Sequence, residues 1–117
     1  MNIGLLCVIC GLLASSGCGH GGSGGNRVSY REDVRTVLLG ACRCHVDNLT
    51  PPGGLDLTHY ESLMKGSASG RQVVAAHPES SNLYRRVSRG EMPPTSPLAP
   101  EDIRTIGKWI EQGAKNN

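Results

Sequence analysis

Ala41-Cys42-Arg43-Cys44-His45 is the stretch of this sequence that decides how the rest is interpreted. One residue separates its two cysteines, and a histidine follows the second at once. On a regular helix, residues two apart project about 200° from each other around the axis, so Cys42 and Cys44 are poorly placed to bond one another. The segment therefore points to a chemistry other than a disulfide.

Four short helices are predicted around this segment. Helical spacing of Val34 and Leu38, behind a capping box at 29–32, places residues 42–45 at the end of the first helix. The other helices are expected at 58–66, with a second capping box at its start, at 81–87, and at 100–113. No stretch alternates like a half-buried strand, so the sequence predicts an all-α fold with long loops between short helices.

The first 26 residues have the character of an export segment and a linker. Residues 3–14 are an apolar run too short for a permanent membrane span, and Ser15-Ser16-Gly17-Cys18 is similar to a bacterial lipobox. We expect a lipoprotein signal peptide at 1–17, a lipidated Cys18 with a glycine-rich tether at 18–26, and one domain at 27–117. An ordinary signal peptide that is cut nearby is the alternative.

The composition leaves this domain short of large apolar side chains. The chain of 117 residues has no Phe, three Tyr and one Trp. A domain of roughly 90 residues is already near the lower end of comfortable core size. A bound apolar cofactor would supply the missing core. The net charge of +2 is too small to favour nucleic acid as a partner.

Covalent haem attachment is the leading explanation for the cysteines. In c-type haem sites, thioether bonds join cysteine sulfurs to the haem vinyl groups, and the next histidine binds the iron, usually within Cys-x-x-Cys-His. Here the residue three before Cys44 is Ala41, and the other cysteine comes one place late. Met92 lies in a loop held by Pro93-Pro94 and is the candidate for the sixth ligand, because a thioether is a soft, neutral donor.

Several short segments before and after Cys42–His45 follow one another in a characteristic order along the chain. They are Val28-Ser29-Tyr30 with Asp33-Val34, Gly54-Leu55-Asp56-Leu57, the run PESSNLYRRV at 78–87, Met92-Pro93-Pro94, Leu98, Lys108-Trp109-Ile110 and Gly113-Ala114. In this order they resemble the short monohaem cytochrome c domains of planctomycete and other bacterial envelope proteins. The resemblance implies a cytochrome c fold, one haem c, His45 as proximal ligand and Met92 as distal ligand. It also implies electron transfer to a redox partner protein rather than enzymatic activity, and a core position for Trp109.

The altered spacing leaves two ways of holding the haem. Counted from Val34, Cys42 falls where the family has its first cysteine, and both sulfurs attach if the helix end is distorted. On a regular helix, however, Cys42 points away from the face that carries Cys44. We therefore expect Cys44 alone to carry the covalent link.

Other functions account for parts of the same evidence. Cys42, Cys44 and His45, with His59 or His77, are ligand types that suit zinc or copper, although Cys-x-Cys-His is unusual for a closed site. A small peroxidase would need an open sixth position on the iron, which Met92 argues against. A degenerate cytochrome domain without haem is the third alternative.

The expected location follows from the N-terminal segment. A lipid on Cys18 would anchor the domain to a membrane, on the periplasmic side of the cell envelope. Gly19 is not an aspartate that would retain a lipoprotein in the inner membrane, so the outer membrane is favoured. Arg85, Arg86 and Arg89 are candidates for pairing with haem propionates or with an acidic partner surface.

Overall fold

The computed structural model describes residues 27–117, so the predicted signal peptide, Cys18 and the tether lie outside the described residues. Its α-helices are α1 at Arg35–Ala41, α2 at Tyr60–Lys65, α3 at Asn82–Ser88 and α4 at Pro100–Glu111. A π-helical turn at Tyr30–Val34 leads into α1, and 3₁₀ turns lie at Arg43–His45, Pro52–Gly54 and Pro78–Ser80. This part of the chain contains no strand, which confirms the predicted all-α fold.

Ser29 caps the first helix, as the sequence predicts. Its hydroxyl oxygen accepts a hydrogen bond from the N–H of Glu32 at 3.2 Å. In a capping box the Ser29 N–H would donate to the side chain of Glu32. Here it donates to the Asp33 carboxylate instead, at 2.8 Å. The Val34 N–H also bonds to the Ser29 carbonyl, at 3.2 Å. This bond spans five residues, one more than in an α-helix, and makes the first turn a π turn.

The second predicted capping box is wrong. α2 begins after His59, which makes no capping bond through its side chain. The Thr58 hydroxyl accepts the N–H of Asp47 at 2.9 Å instead, and so joins the loop after the Cys-His segment to the start of α2. The predicted end of α2 is confirmed, because Gly66 caps it with φ of 92°.

Three aromatic rings join the start of the first helix to α4. The Tyr30 ring lies 5.4 Å from that of Trp109 and 5.1 Å from that of Tyr60. The Trp109 indole N–H donates to the Lys115 carbonyl and the Tyr60 hydroxyl to the Ala114 carbonyl, both at 2.8 Å. The core position that the resemblance implied for Trp109 is confirmed. The fully buried aliphatic residues around the rings are Val34, Leu38, Leu57, Leu63, Val73, Val87, Ile106 and Ile110.

None of the helices within 27–117 is long and apolar enough to cross a bilayer.

A tight turn follows α2 and requires glycine at its start. Ser67 and Gly70 bond each other through both backbone N–H groups at 2.9 Å. A Cβ on Gly66 would lie 3.0 Å from the Arg71 Cα and would also strike the Gly70 carbonyl. These are backbone atoms that cannot rotate away, and the φ of Gly66 lies in the left-handed region.

We expect Gly66→Ala to lower the free energy of unfolding by about 2 kcal/mol, through left-handed strain and the clash. Gly40→Ala is the matched control: no atom lies within 4 Å of an added Cβ there, and Gly40 is within α1. That change should raise stability by about 0.5–1 kcal/mol. Urea unfolding followed by far-UV circular dichroism measures both. Equal stability of the two variants would contradict the role of Gly66.

Candidate functional site

A cleft opens where the end of α1 faces α3, and it gathers most of the residues expected at the site. Cys42, His45 and Met92 all line it. Its apolar lining comes from Pro52, Leu55, Leu57 and Leu83. The cleft therefore brings one thiol, one imidazole and one thioether against an apolar surface.

The helix that carries the two cysteines breaks at Cys42. α1 ends at Ala41, and Cys42 leaves the α-helical region with φ of −107° and ψ of 41°. The Cys42 N–H still bonds to the Leu38 carbonyl, while the His45 N–H bonds to the Cys42 carbonyl, both at 2.9 Å, and closes a 3₁₀ turn. The expectation of a regular helix through residues 42–45 is wrong for this reason.

The break separates the two cysteines. Cys42 and His45 stand at the two ends of this turn, and both line the cleft. Cys42 is 9% exposed and lines the cleft, whereas Cys44 is exposed and is not among the lining residues. Burial, with a smaller effect from the neighbouring charge of Cys44, raises the pKa of Cys42 to about 11. The expectation that Cys44 holds the haem assumed a regular helix through residues 42–45. The helix breaks at Cys42, so that assumption does not apply.

His45 is held by two bonds to the segment that precedes α2. Its ring Nδ1 lies 2.9 Å from the Leu55 carbonyl oxygen, and its own carbonyl accepts the Leu57 N–H at 2.7 Å. Because a carbonyl oxygen only accepts, Nδ1 carries the proton in this bond, and in the neutral imidazole Nε2 then keeps the free lone pair. Hydrogen bonds of this kind fix the tautomer and the ring orientation of metal-binding histidines.

Met92 is positioned by the end of α3. The Arg86 carbonyl accepts the N–H groups of Glu91 at 3.0 Å and of Met92 at 3.3 Å. The chain thus turns back on itself after α3 and returns the half-buried Met92 beside Arg86. Both side chains line the cleft, so this turn supplies a sulfur donor and a positive charge to the same site.

A polar group of side chains lines another part of the cleft. Gln72 is 4% exposed; its amide N–H groups donate to the Ser67 hydroxyl at 2.9 Å and the Gly70 carbonyl at 3.1 Å. Its amide oxygen accepts from Asn82 at 3.1 Å. Ser67 and Gln72 were missed from the sequence, because they lie in a loop and give no periodic signal. Asn82, at the start of α3, was also missed as a residue of the site. Helical spacing does place Asn82 and Arg86 on one face of α3.

The other candidate ligands lie elsewhere. His59 and His77 are exposed and do not line the cleft, and the His77 ring Nδ1 lies 3.2 Å from a Glu79 carboxylate oxygen. Across 27–117, no three Cys, His, Asp or Glu side chains converge as a metal site. The ligand set considered for zinc or copper, Cys42, Cys44 and His45 with one further histidine, is not brought together in this part of the chain.

The comparisons with known proteins agree with the position of the cleft. Residues 42–96 match the family model described as Planctomycete cytochrome C. This range is somewhat less than half of the chain, and it includes every residue that lines the cleft. Neither a curated protein nor a solved structure gave a match.

The different burial of the two sulfurs predicts different reactivity in haem-free protein. Alkylating reagents attack accessible thiolates, so a short pulse of iodoacetamide should label Cys44 at least tenfold more than Cys42. Trypsin cuts after Arg43 and puts the two cysteines on separate peptides, whose labelling mass spectrometry can quantify. Labelling in urea is the control, and there the two should react alike. Faster labelling of Cys42 in native protein would contradict its burial.

Proposed function

The segment 42–96 is a planctomycete-type cytochrome c domain, and from this premise we propose that the protein is a monohaem c-type cytochrome that transfers electrons. In this proposal His45 and Met92 are the two axial ligands of the iron. The observation that carries it is the cleft: the imidazole of His45 and the thioether of Met92 line the same apolar space, with a cysteine thiol beside them.

The donor set of the cleft fits a haem of this class. A histidine with its Nε2 lone pair free and a neutral methionine sulfur are the ligands of low-spin electron-transfer haems. The volume of the cleft is about 220 Å³, below the roughly 300–1,000 Å³ of typical ligand pockets. A group as large as haem would therefore keep one edge in solvent, where a partner protein can approach it.

Haem c, when bound, supplies an iron that accepts and returns one electron. The chain's own residues set the conditions for that exchange. The Leu55 carbonyl accepts the Nδ1–H hydrogen bond of His45. This bond makes the Nε2 lone pair a stronger electron-pair donor to a metal. Leu57 and Leu83 give the cleft part of its apolar surface, and the neutral sulfur of Met92 would favour reduced iron.

Arg86 is the charged residue of the cleft lining, and it suits the propionate groups of haem. A guanidinium binds carboxylates through two parallel hydrogen bonds. Arg85 and Arg89, the other arginines considered for this role, do not line the cleft. They remain available on the surface for an acidic partner protein, which is their role in this proposal.

Electron carriage, rather than catalysis, is the usual role of such domains. Two axial ligands from the chain leave no open position on the iron, which separates this proposal from a small peroxidase. We place the protein on the periplasmic side of the envelope, tethered through a lipid on Cys18. The lipobox-like Ser15-Ser16-Gly17-Cys18 and the glycine-rich linker that follows support this location.

Removal of either axial ligand should change the optical spectrum in its own way. We expect His45→Ala to abolish the low-spin haem spectrum. We expect Met92→Ala to remove the weak sulfur-to-iron band near the red end of the oxidised spectrum and to let the iron bind cyanide or carbon monoxide. Absorption spectra of purified protein in both oxidation states measure each effect.

His59→Ala and His77→Ala are the matched controls, because both residues are exposed histidines outside the cleft. Both variants should keep the wild-type spectrum. Loss of the sulfur band in one of them, with Met92→Ala unchanged, would move the distal ligand to that histidine. Wild-type protein that purifies without any Soret band would favour the degenerate, haem-less domain instead.

The anchor is tested separately from the haem. Cys18→Ser should move the protein from the membrane fraction to the soluble fraction, because the acyl chains of the anchor are attached to that sulfur. Cys10→Ser is the control, since Cys10 lies within the predicted signal peptide. Immunoblots of fractionated cells measure the distribution. A Cys18→Ser protein that has lost residues 1–17 and still stays in the membrane fraction would rule out this anchor.

A further inference from the structure

We propose that a single thioether bond, from Cys42, holds the haem, and that Cys44 stays a free thiol at the surface beside the iron ligand. This inference rests on the proposed haem-binding function and concerns which sulfur makes the link. It reverses the expectation drawn from a regular helix, and it departs from attachment through two cysteines.

Cys42 has the position that attachment requires. Its side chain lines the cleft together with His45 and Met92. The bond from the His45 N–H to the Cys42 carbonyl, at 2.9 Å, holds both residues at the two ends of one turn. A sulfur that lines the same cleft three residues from the ligand histidine can reach a vinyl group at the edge of a ring bound by that histidine.

Cys44 lies on the outside of the same turn. It is exposed, it does not line the cleft, and its carbonyl accepts the side-chain N–H of Asn48 at 3.0 Å. That bond ties the backbone of Cys44 to the loop after His45. The sulfur therefore faces solvent while the next residue enters the cleft.

A second link, through Cys44, would displace His45, the proposed iron ligand. To bring this sulfur into the cleft, the turn at Arg43–His45 would have to rotate, and the bond between His45 N–H and the Cys42 carbonyl would break. The same rotation would pull His45 from the carbonyl of Leu55 and the N–H of Leu57, at 2.9 and 2.7 Å. Because those bonds orient the imidazole, one link with an intact ligand is favoured over two links with a displaced one.

The chemistry of the single link balances without a further reactant. The S–H bond of Cys42 and the π bond of one vinyl group are broken. The sulfur bonds to the vinyl carbon next to the ring, and the thiol hydrogen goes to the terminal carbon. No net oxidation or reduction occurs, and the second vinyl group stays intact.

Trypsin provides a direct test on the unmodified holoprotein, because Arg43 separates the two cysteines. Digestion should place the haem on the peptide 36–43, with 44–65 recovered free of haem. Mass spectrometry and absorption at the Soret wavelength identify the haem peptide. Haem on 44–65 would assign the link to Cys44, and peptides 36–43 and 44–65 recovered joined through one haem would show two links. Either result overturns the inference.

A pair of matched variants tests the same point by a different readout. Acid-acetone extraction should release essentially all haem from Cys42→Ala and essentially none from Cys44→Ala. The pyridine haemochrome band of wild type should lie between those of two-link haem c and free haem, and Cys44→Ala should leave it unmoved. A band shift in Cys44→Ala, or covalent haem in Cys42→Ala, contradicts single attachment through Cys42.

These outcomes separate the inference from the function on which it rests. Haem that is bound but extracted from wild type by acid-acetone overturns covalent attachment and leaves the axial ligands in place. Purified protein with no haem overturns the proposed function itself. If Cys42→Ala fails to fold, the tryptic map of wild type still decides which sulfur is bound.

Discussion

The two hydrogen bonds of His45 to the segment before α2 are the constraint on which the site depends. One bond, from the ring Nδ1 to the Leu55 carbonyl, fixes which nitrogen is free; the other, from the Leu57 N–H to the His45 carbonyl, fixes the backbone. Leu55 and Leu57 are themselves lining residues of the cleft. The bonds that orient the imidazole thus also build the apolar surface beside it, so neither can move without the other.

The break in the first helix compensates for the shortened spacing of the cysteines. In Cys-x-x-Cys-His, the first cysteine precedes the histidine by four residues, which an α-helix at about 100° per residue leaves about 40° apart. In this chain Cys42 precedes His45 by three residues, and a continued α-helix would leave them about 60° apart. In this chain the α-helix breaks at Cys42 and a 3₁₀ turn follows, and both Cys42 and His45 line the cleft. The tighter turn thus keeps sulfur and imidazole at one site with one residue fewer.

The sequence predicted those parts of the fold that depend on local signals. Ser29 caps the first helix, Gly66 ends α2, and Pro100 starts α4, because each acts within one turn of its own position. Prediction failed where a distant partner competes. Thr58 has the features of a helix cap, yet its hydroxyl bonds to Asp47, eleven residues earlier in the chain.

The same distinction applies to the site. His45, Met92 and Cys42 were found from the motif, and the structure brings them to one cleft. The outward position of Cys44 was not found, since it depends on the helix break at Cys42, whose position the cysteine and histidine spacing does not specify. Gln72 was missed because it lies in an aperiodic loop, and its burial depends on Ser67 and Asn82.

In the proposed cytochrome, one covalent link to haem would be sufficient on energetic grounds. The first covalent bond makes every later contact between haem and cleft intramolecular, at an effective concentration in the millimolar range or above. A second bond would restrict a group that is already tethered and held by His45 and Met92, so it would contribute much less than the first. The first helix runs from the Tyr30–Trp109 contact in the core to Cys42 in the cleft. In the proposed cytochrome, haem attached at that end would complete the core of a chain that has few large apolar side chains, and would leave the ligand histidine undisturbed.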